Sequence, residues 1–172
     1  MVPDGGSALE RFAARLLAQR AYLAEAARRI ASIAGPVFEI GLGKGRTYDH
    51  LLRLLPGRDI YCFDREHHAP PDESPPAERL VIGEIRETLP ALAARLGAKA
   101  ALAHCDIGTR KPERDMEFAR YLATALPPLM APGGIVLGDR PMESPQLEPL
   151  PLPDYTRPEG IQPWPYYLYC AR

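Results

Sequence analysis

The chain has 172 residues, 21 basic and 22 acidic, with a formal net charge of -1, a size that suits one domain with a core of its own. Near-neutral charge gives no broad field to hold a polyanion or a lipid surface, which argues against nucleic acid and membrane as partners, and no stretch approaches the ~20 apolar residues of a membrane span. Met1 to Ser7 is polar and lacks an apolar signal core, while Cys62, Cys105 and Cys170 sit far apart in apolar runs, as reduced core thiols do. The expected location is the cytoplasm.

Ser7 and Glu10 stand at capping-box spacing, and Leu9, Phe12, Leu16, Leu23, Ala27 and Ile30 recur at roughly helical intervals until Gly35-Pro36. This predicts an N-terminal helical segment over 1–35, as one long helix or two broken ones. Val37 to Ile40 reads as a strand that runs into Gly41-Leu42-Gly43-Lys44-Gly45, and a helix resumes from Arg46 to Leu55 before Pro56-Gly57. Further strands are expected at 59–63, ending at Asp64, and at 79–83, followed by a helix from about Ile85 to Leu96 closed by Gly97. Ala100 to Cys105 is a fourth strand ending at Asp106, 115–130 a helix, and Ile135 to Gly138 a fifth strand ending at Asp139. Strand–helix alternation of this kind implies an α/β fold with a doubly wound, mostly parallel sheet in a single domain, 1–172.

Two segments depart from the alternation. Arg65 to Glu78 carries Pro70, Pro71, Pro75 and Pro76 among acids and reads as an exposed, mobile loop, in which His67-His68 lack a third ligand at metal-binding spacing. The proline-rich segment 141–165 is too broken for a regular helix, and strand character returns only at Tyr166 to Cys170, so the C-terminal part of the sheet is expected to be shortened. An edge exposed by that shortening would be covered by the proline-rich tail or by a second copy in a homo-oligomer.

In an open α/β sheet the ligand lies beyond the carboxyl ends of the strands. Here those ends carry Glu39, the glycine turn, Asp64, Glu84, Asp106 and Asp139. Glycines let the backbone approach a ligand closely. The dinucleotide fingerprint wants its third glycine where Arg46 stands, and no phosphate-loop Gly-Lys-Ser/Thr is present. Asp64 lies about 20 residues past the turn, where a carboxylate can accept both hydroxyls of a ribose.

Through Glu39-Ile40-Gly41-Leu42-Gly43-Lys44-Gly45, Asp64, Gly83-Glu84-Ile85-Arg86-Glu87, Asp106 and Ala131-Pro132-Gly133-Gly134, the sequence resembles the class I S-adenosylmethionine-dependent methyltransferases from about Val37 to Asp139. The resemblance implies a Rossmann-like methyltransferase fold, usually of seven strands with the last antiparallel. It also implies S-adenosyl-L-methionine as cofactor, with contacts at Glu39, Gly41, Leu42, Gly43, Gly45, Asp64, Glu84, Ile85 and Asp106. In the family the glycine turn supports the methionine part, the acid matched by Asp64 holds the ribose and the acid matched by Glu84 addresses adenine. Glu39 looks like the acid that helps to hold the cofactor's ammonium, directly or through water.

Some family O-methyltransferases place metal-binding acids where Asp106 and Asp139 stand, joined by an Asn next in sequence. Here that residue is Arg140, so an Asp–Arg ion pair is expected and no metal. His104 and Asp106 share one face of their strand, His104 as a core residue and Asp106 as the catalytic group that orients the acceptor or takes its proton. With no separate substrate domain and no basic surface, a small-molecule acceptor is expected. The competing readings are a non-catalytic S-adenosylmethionine-binding module and a nicotinamide-dependent oxidoreductase.

Overall fold

The computed structural model describes residues 6–109 and 111–172, and the polar start read above for its lack of a signal core falls mostly outside them, at 1–5. Helix α1, Ala8–Arg29, is a single run opened by a closed capping box: the Glu10 amide donates to Ser7 Oγ (3.2 Å) and the Ser7 amide to Glu10 Oε2 (2.6 Å). Its buried positions are Ala14, Ala18, Gln19, Tyr22, Leu23, Ala26 and Ala27. Leu9, Phe12 and Leu16, read as core from their spacing, stay exposed, Leu9 by 77%. The first turns of α1 overhang the carboxyl edge of the sheet, so the apolar stripe runs on past the surface it packs against.

Strands β1 (Val37–Ile40), β2 (Ile60–Asp64), β3 (Leu80–Ile82), β4 (Ala100–Cys105) and β5 (Met130–Gly138) are parallel. Strand β7 (Tyr167–Ala171) pairs antiparallel with β5, and β6 (Leu147–Leu150) antiparallel with β7, giving the order β3-β2-β1-β4-β5-β7-β6. Helices α1 and α2 (Arg46–Leu54) cover one face, over Val37, Ile60, Leu102, Ile135 and Leu168. Helices α3 (Ile85–Leu96) and α4 (Pro112–Ala125) cover the other, over Phe38, Phe63, Ala103, Val136 and Tyr169. The period-2 alternation of these residues along each strand sorts them between the two layers.

The fifth strand starts at Met130 rather than Ile135. Ala100 pairs with Met130, the register shifts before Leu102 meets Ile135, and Pro132-Gly133-Gly134 lies in that irregular stretch instead of forming a turn ahead of the strand. The sixth strand is present, so what the C-terminal part lacks is the usual helix. Gly138 leaves the sheet at its carboxyl edge and Leu147, opposite Ala171, re-enters at the amino edge. Residues 139–146 can cover roughly 27 Å when extended, ample to recross a strand of five residues. Met142 anchors this crossing: its side chain is buried and its amide donates to Tyr169 Oη (2.8 Å). At the edge, β6 is short and carries Pro149, two features that blunt a strand against further pairing.

The loop after β2 has local structure of its own. It contains two 3-10 turns, Pro71–Glu73 and Ala77–Arg79, buries Ala69 and Pro75, and is braced by Ser74 Oγ, which donates to the Pro70 carbonyl (2.9 Å). His67 and His68 are exposed, the first bonded to Ser74 Oγ (2.8 Å) and the second to Glu66 (3.0 Å). The loop folds back on the glycine turn so closely that a Cβ on Gly45, at φ 78°, would lie 2.1 Å from the Glu73 carbonyl oxygen. Gly43, at φ 53°, has open space around it. Gly45→Ala is therefore expected to lose at least about 2 kcal/mol of stability, and Gly43→Ala only about 1 kcal/mol, from the left-handed backbone alone; urea unfolding of the two variants side by side checks the order.

Candidate cofactor and acceptor site

Between β1 and β4 the strand order reverses, and the carboxyl ends of these strands part to form a crevice. A cleft of about 240 Å³ opens there. Its floor is Ile40, Gly41 and Gly43; one wall is Asp64, Glu84 and Ile85; the other is Asp106 to Thr109 with Phe118 of α4. Gly41 is needed where it stands, because a Cβ there would lie 2.4 Å from the Asp106 carbonyl oxygen. Side chains on both strand ends would force β1 and β4 apart.

Asp64 is tied to the glycine turn. Its Oδ2 accepts from the Gly43 amide (2.8 Å) and its Oδ1 from the Arg65 amide (2.7 Å), so the carboxylate is fixed at the rim of the cleft with lone pairs to spare. Glu84 sits at the N-cap of α3 without bonding the helix through its side chain, and is exposed toward the cleft. Phe63, Ile85, Ile107 and Phe118 supply apolar walls.

Of the nine cofactor positions expected from the sequence, Gly41, Gly43, Asp64, Glu84, Ile85 and Asp106 line this cleft. Leu42 points into the core under α2, and Gly45 is covered by the Glu73 carbonyl. Glu39 is completely buried beneath the turn: Oε1 accepts from Thr47 Oγ1 (2.5 Å) and Oε2 from His104 Nδ1 (2.8 Å), which closes off direct contact with a ligand in the cleft. His104 is fully buried as well and is a cross-strand neighbour of Glu39. Burial lowers the basicity of its ring, but the Glu39 carboxylate outweighs this and the net direction is upward.

On the α1 side the sequence reading missed several residues. Arg15 donates to both oxygens of Asp106 (2.8 and 2.7 Å), and Gln19 Nε2 donates to Oδ2 of the same carboxylate. Tyr166 Oη meets His104 Nε2 (3.0 Å) and Gln19 Nε2 (3.4 Å), and the Arg15 guanidinium lies over the Trp164 ring, 5.7 Å from its centre. For Arg15 and Gln19 the only sequence signal was their i, i+4 spacing on one helix face, whereas Trp164 and Tyr166 stand out as part of an aromatic tail that could line an acceptor pocket or pack a subunit interface. The expected arginine pairing forms with a different pair of acids: Arg140 bonds Asp139 (2.8 Å) and Asp115 (3.3 Å), while Asp106 belongs to Arg15.

Asp139 is buried beside Asp106, and desolvation together with that like charge pushes its carboxyl up to about 6 in spite of Arg140. The folded state therefore holds this proton more tightly than the unfolded chain, whose Asp titrates near ~4, and stability drains away as pH rises from about 4 to about 6. Relative to Asp139→Asn, wild-type stability is expected to fall by roughly 2 kcal/mol across that window and stay level above it. Urea unfolding of both proteins at a series of pH values checks this, and a constant difference would contradict it.

Comparison with known proteins supplies the family. A family model described as S-adenosyl-L-methionine methyltransferase matches residues 6–169. The crystal structure of an S-adenosyl-L-methionine methyl transferase from Silicibacter pomeroyi is 41% identical, with 95% of this chain and 98% of that one covered and a TM-score of 0.82. TrmN from Thermus thermophilus (17% identity, TM-score 0.58) shares the fold, with 87% of this chain and 48% of that one covered. The O-methyltransferase TomG from Streptomyces achromogenes, solved with S-adenosylmethionine, does so at 22% identity and TM-score 0.51, over 70% of this chain and 54% of its own. The chain thus spans about half the length of these two more distant structures. No curated protein sequence matches it. Fold, cleft and family agree: the chain belongs to the S-adenosyl-L-methionine methyltransferases.

Proposed function

We propose that this methyltransferase is a cytoplasmic enzyme that acts on a small-molecule acceptor approaching from the α1 side of the cleft. The observation that carries the reading is the anchoring of Asp64 to the glycine turn at the β1/β4 switch point, with an apolar slot on one side and a polar cluster on the other. A formal charge of -1 supports a small acceptor over a nucleic acid. No helix among the described residues is long and apolar enough to cross a membrane. Association into a homo-oligomer is a separate proposal, for light scattering to decide.

When bound, S-adenosylmethionine supplies an electrophilic methyl group on a cationic sulfonium. Asp64 accepts hydrogen bonds from the ribose hydroxyls with the lone pairs that Gly43 and Arg65 leave unused. Glu84, Ile85 and Phe118, which line the apolar side of the cleft, would hold the adenine. Gly41 and Gly43 bring the backbone near the methionine part, while Glu39, Leu42 and Gly45 shape the turn from below. Asp106 faces the seam between cofactor and acceptor. Three donated hydrogen bonds hold its carboxylate in one place, so its role is to orient the nucleophile, and catalysis rests mainly on positioning.

Calorimetric titration with S-adenosylmethionine and S-adenosylhomocysteine tests the cofactor site. Wild type is expected to bind both, and Asp64→Ala to bind them about 10- to 100-fold more weakly, the loss typical of hydrogen bonds to a charged group. Unchanged affinity in the variant would remove Asp64 from the site. A screen of small nucleophiles with labelled cofactor tests the acceptor class, and Asp106→Ala should lower turnover on any acceptor found.

A further inference from the structure

Two fully buried ionisable residues, Glu39 and His104, lie in the middle of the sheet, with the hydroxyl of Tyr166 and the amide of Gln19 buried beside them. Burying such groups is costly even when each is bonded, and apolar residues of the same volume would hold the layer together at least as well. These four groups form one chain of hydrogen bonds. It begins at Thr47 in the first turn of α2, passes through Glu39, His104, Tyr166 and Gln19, and ends on Asp106 in the cleft. One end thus lies just past the glycine turn and the other at the acceptor seam.

Each link fixes the next. Glu39 only accepts, so Nδ1 of His104 must donate to it, which turns Nε2 toward Tyr166. Asp106 also accepts, so Gln19 must present its amide nitrogen there, and the same nitrogen meets Tyr166 Oη. Without the tyrosine hydroxyl, Gln19 loses its second partner and His104 is left with an unpaired buried nitrogen. We infer that His104 and Tyr166 are positioning residues that hold the Asp106 carboxylate in register with the cofactor-binding turn, acting through Gln19. The inference rests on the reading of the cleft as the cofactor site, to which Asp106 contributes a wall.

A double-mutant cycle tests this by titration calorimetry with S-adenosylhomocysteine, using wild type, Tyr166→Phe, Asp106→Ala and the double variant. Tyr166→Phe deletes one oxygen and keeps the ring that packs against His104 and Tyr22. If it acts through Asp106, it should weaken binding about 3- to 10-fold in wild type and have no further effect once Asp106 is Ala. A general loosening of the fold would instead give the same loss in both backgrounds, and that result, or wild-type affinity in Tyr166→Phe, overturns the inference. Gln19→Met breaks the chain one link further on and carries the same cycle should the tyrosine variant fail to fold. Wild type that does not bind S-adenosylhomocysteine would overturn the cofactor site itself and this inference with it, whereas a wild type that binds separates the two questions.

Discussion

A carboxylate that no water reaches has to be given its partners by the protein, and for Glu39 that requirement organises the centre of the molecule. It sits on β1, an interior strand, with its side chain toward the α1/α2 layer, so only the neighbouring strands at the same level and the helix above can supply donors. His104 comes from β4 in direct register, and Thr47 from the first turn of α2. Meeting both conditions fixes where α2 starts, and so the path of the glycine turn between β1 and that helix. It also fixes the face of β4 on which Asp106 emerges, since Asp106 lies two residues beyond His104 on the same side of the strand.

From this centre the cleft divides by layer. Toward α3 and α4 its apolar lining is Phe63, Ile85, Ile107 and Phe118, and its polar groups are Asp64, tied to the Gly43 amide, with Glu84, Arg65, Thr109 and Arg114. Behind Asp106, toward α1, lies a charged cluster in which Arg15 and Gln19 bond its carboxylate and Asp139 is buried alongside. A nucleoside suits the first half and a reacting polar atom the second. The loop after β2 packs over the turn at Gly45, and its first residue, Arg65, reaches the wall of the cleft.

Much of this was legible in the sequence, and the rest was hidden for definite reasons. The alternation of short apolar runs with helical spacing located all five parallel strands to within a few residues, because each ends at a glycine, proline or acid where the chain leaves the sheet. Six of nine expected cofactor positions line the cleft, since a strand's carboxyl end and a ligand site coincide in this architecture. Glu39 carried the right motif, but its burial depends on a histidine 65 residues away in the chain, a pairing no local pattern encodes. The sixth strand was obscured because Pro149 lies inside it, tolerable only at an edge. Arg15 and Gln19 looked like ordinary polar positions of an amphipathic helix, and the apolar stripe through Leu9, Phe12 and Leu16 pointed to the wrong contact face.

Beyond the ends of β4 and β5, Asp106, Asp115 and Asp139 face Arg15 and Arg140, and the partners are not shared evenly. Asp106 accepts from Arg15 twice and from Gln19. Asp115 accepts from the Thr109 amide and hydroxyl and from Arg140, which together draw its carboxyl below the usual range although burial opposes them. Asp139 has Arg140 alone and lies under the repulsion of Asp106. It is therefore the acid whose charge is least secured by the protein, and the one most responsive to what enters beside it: a cation near Asp106 relieves the repulsion and favours ionised Asp139, while an anion opposes it.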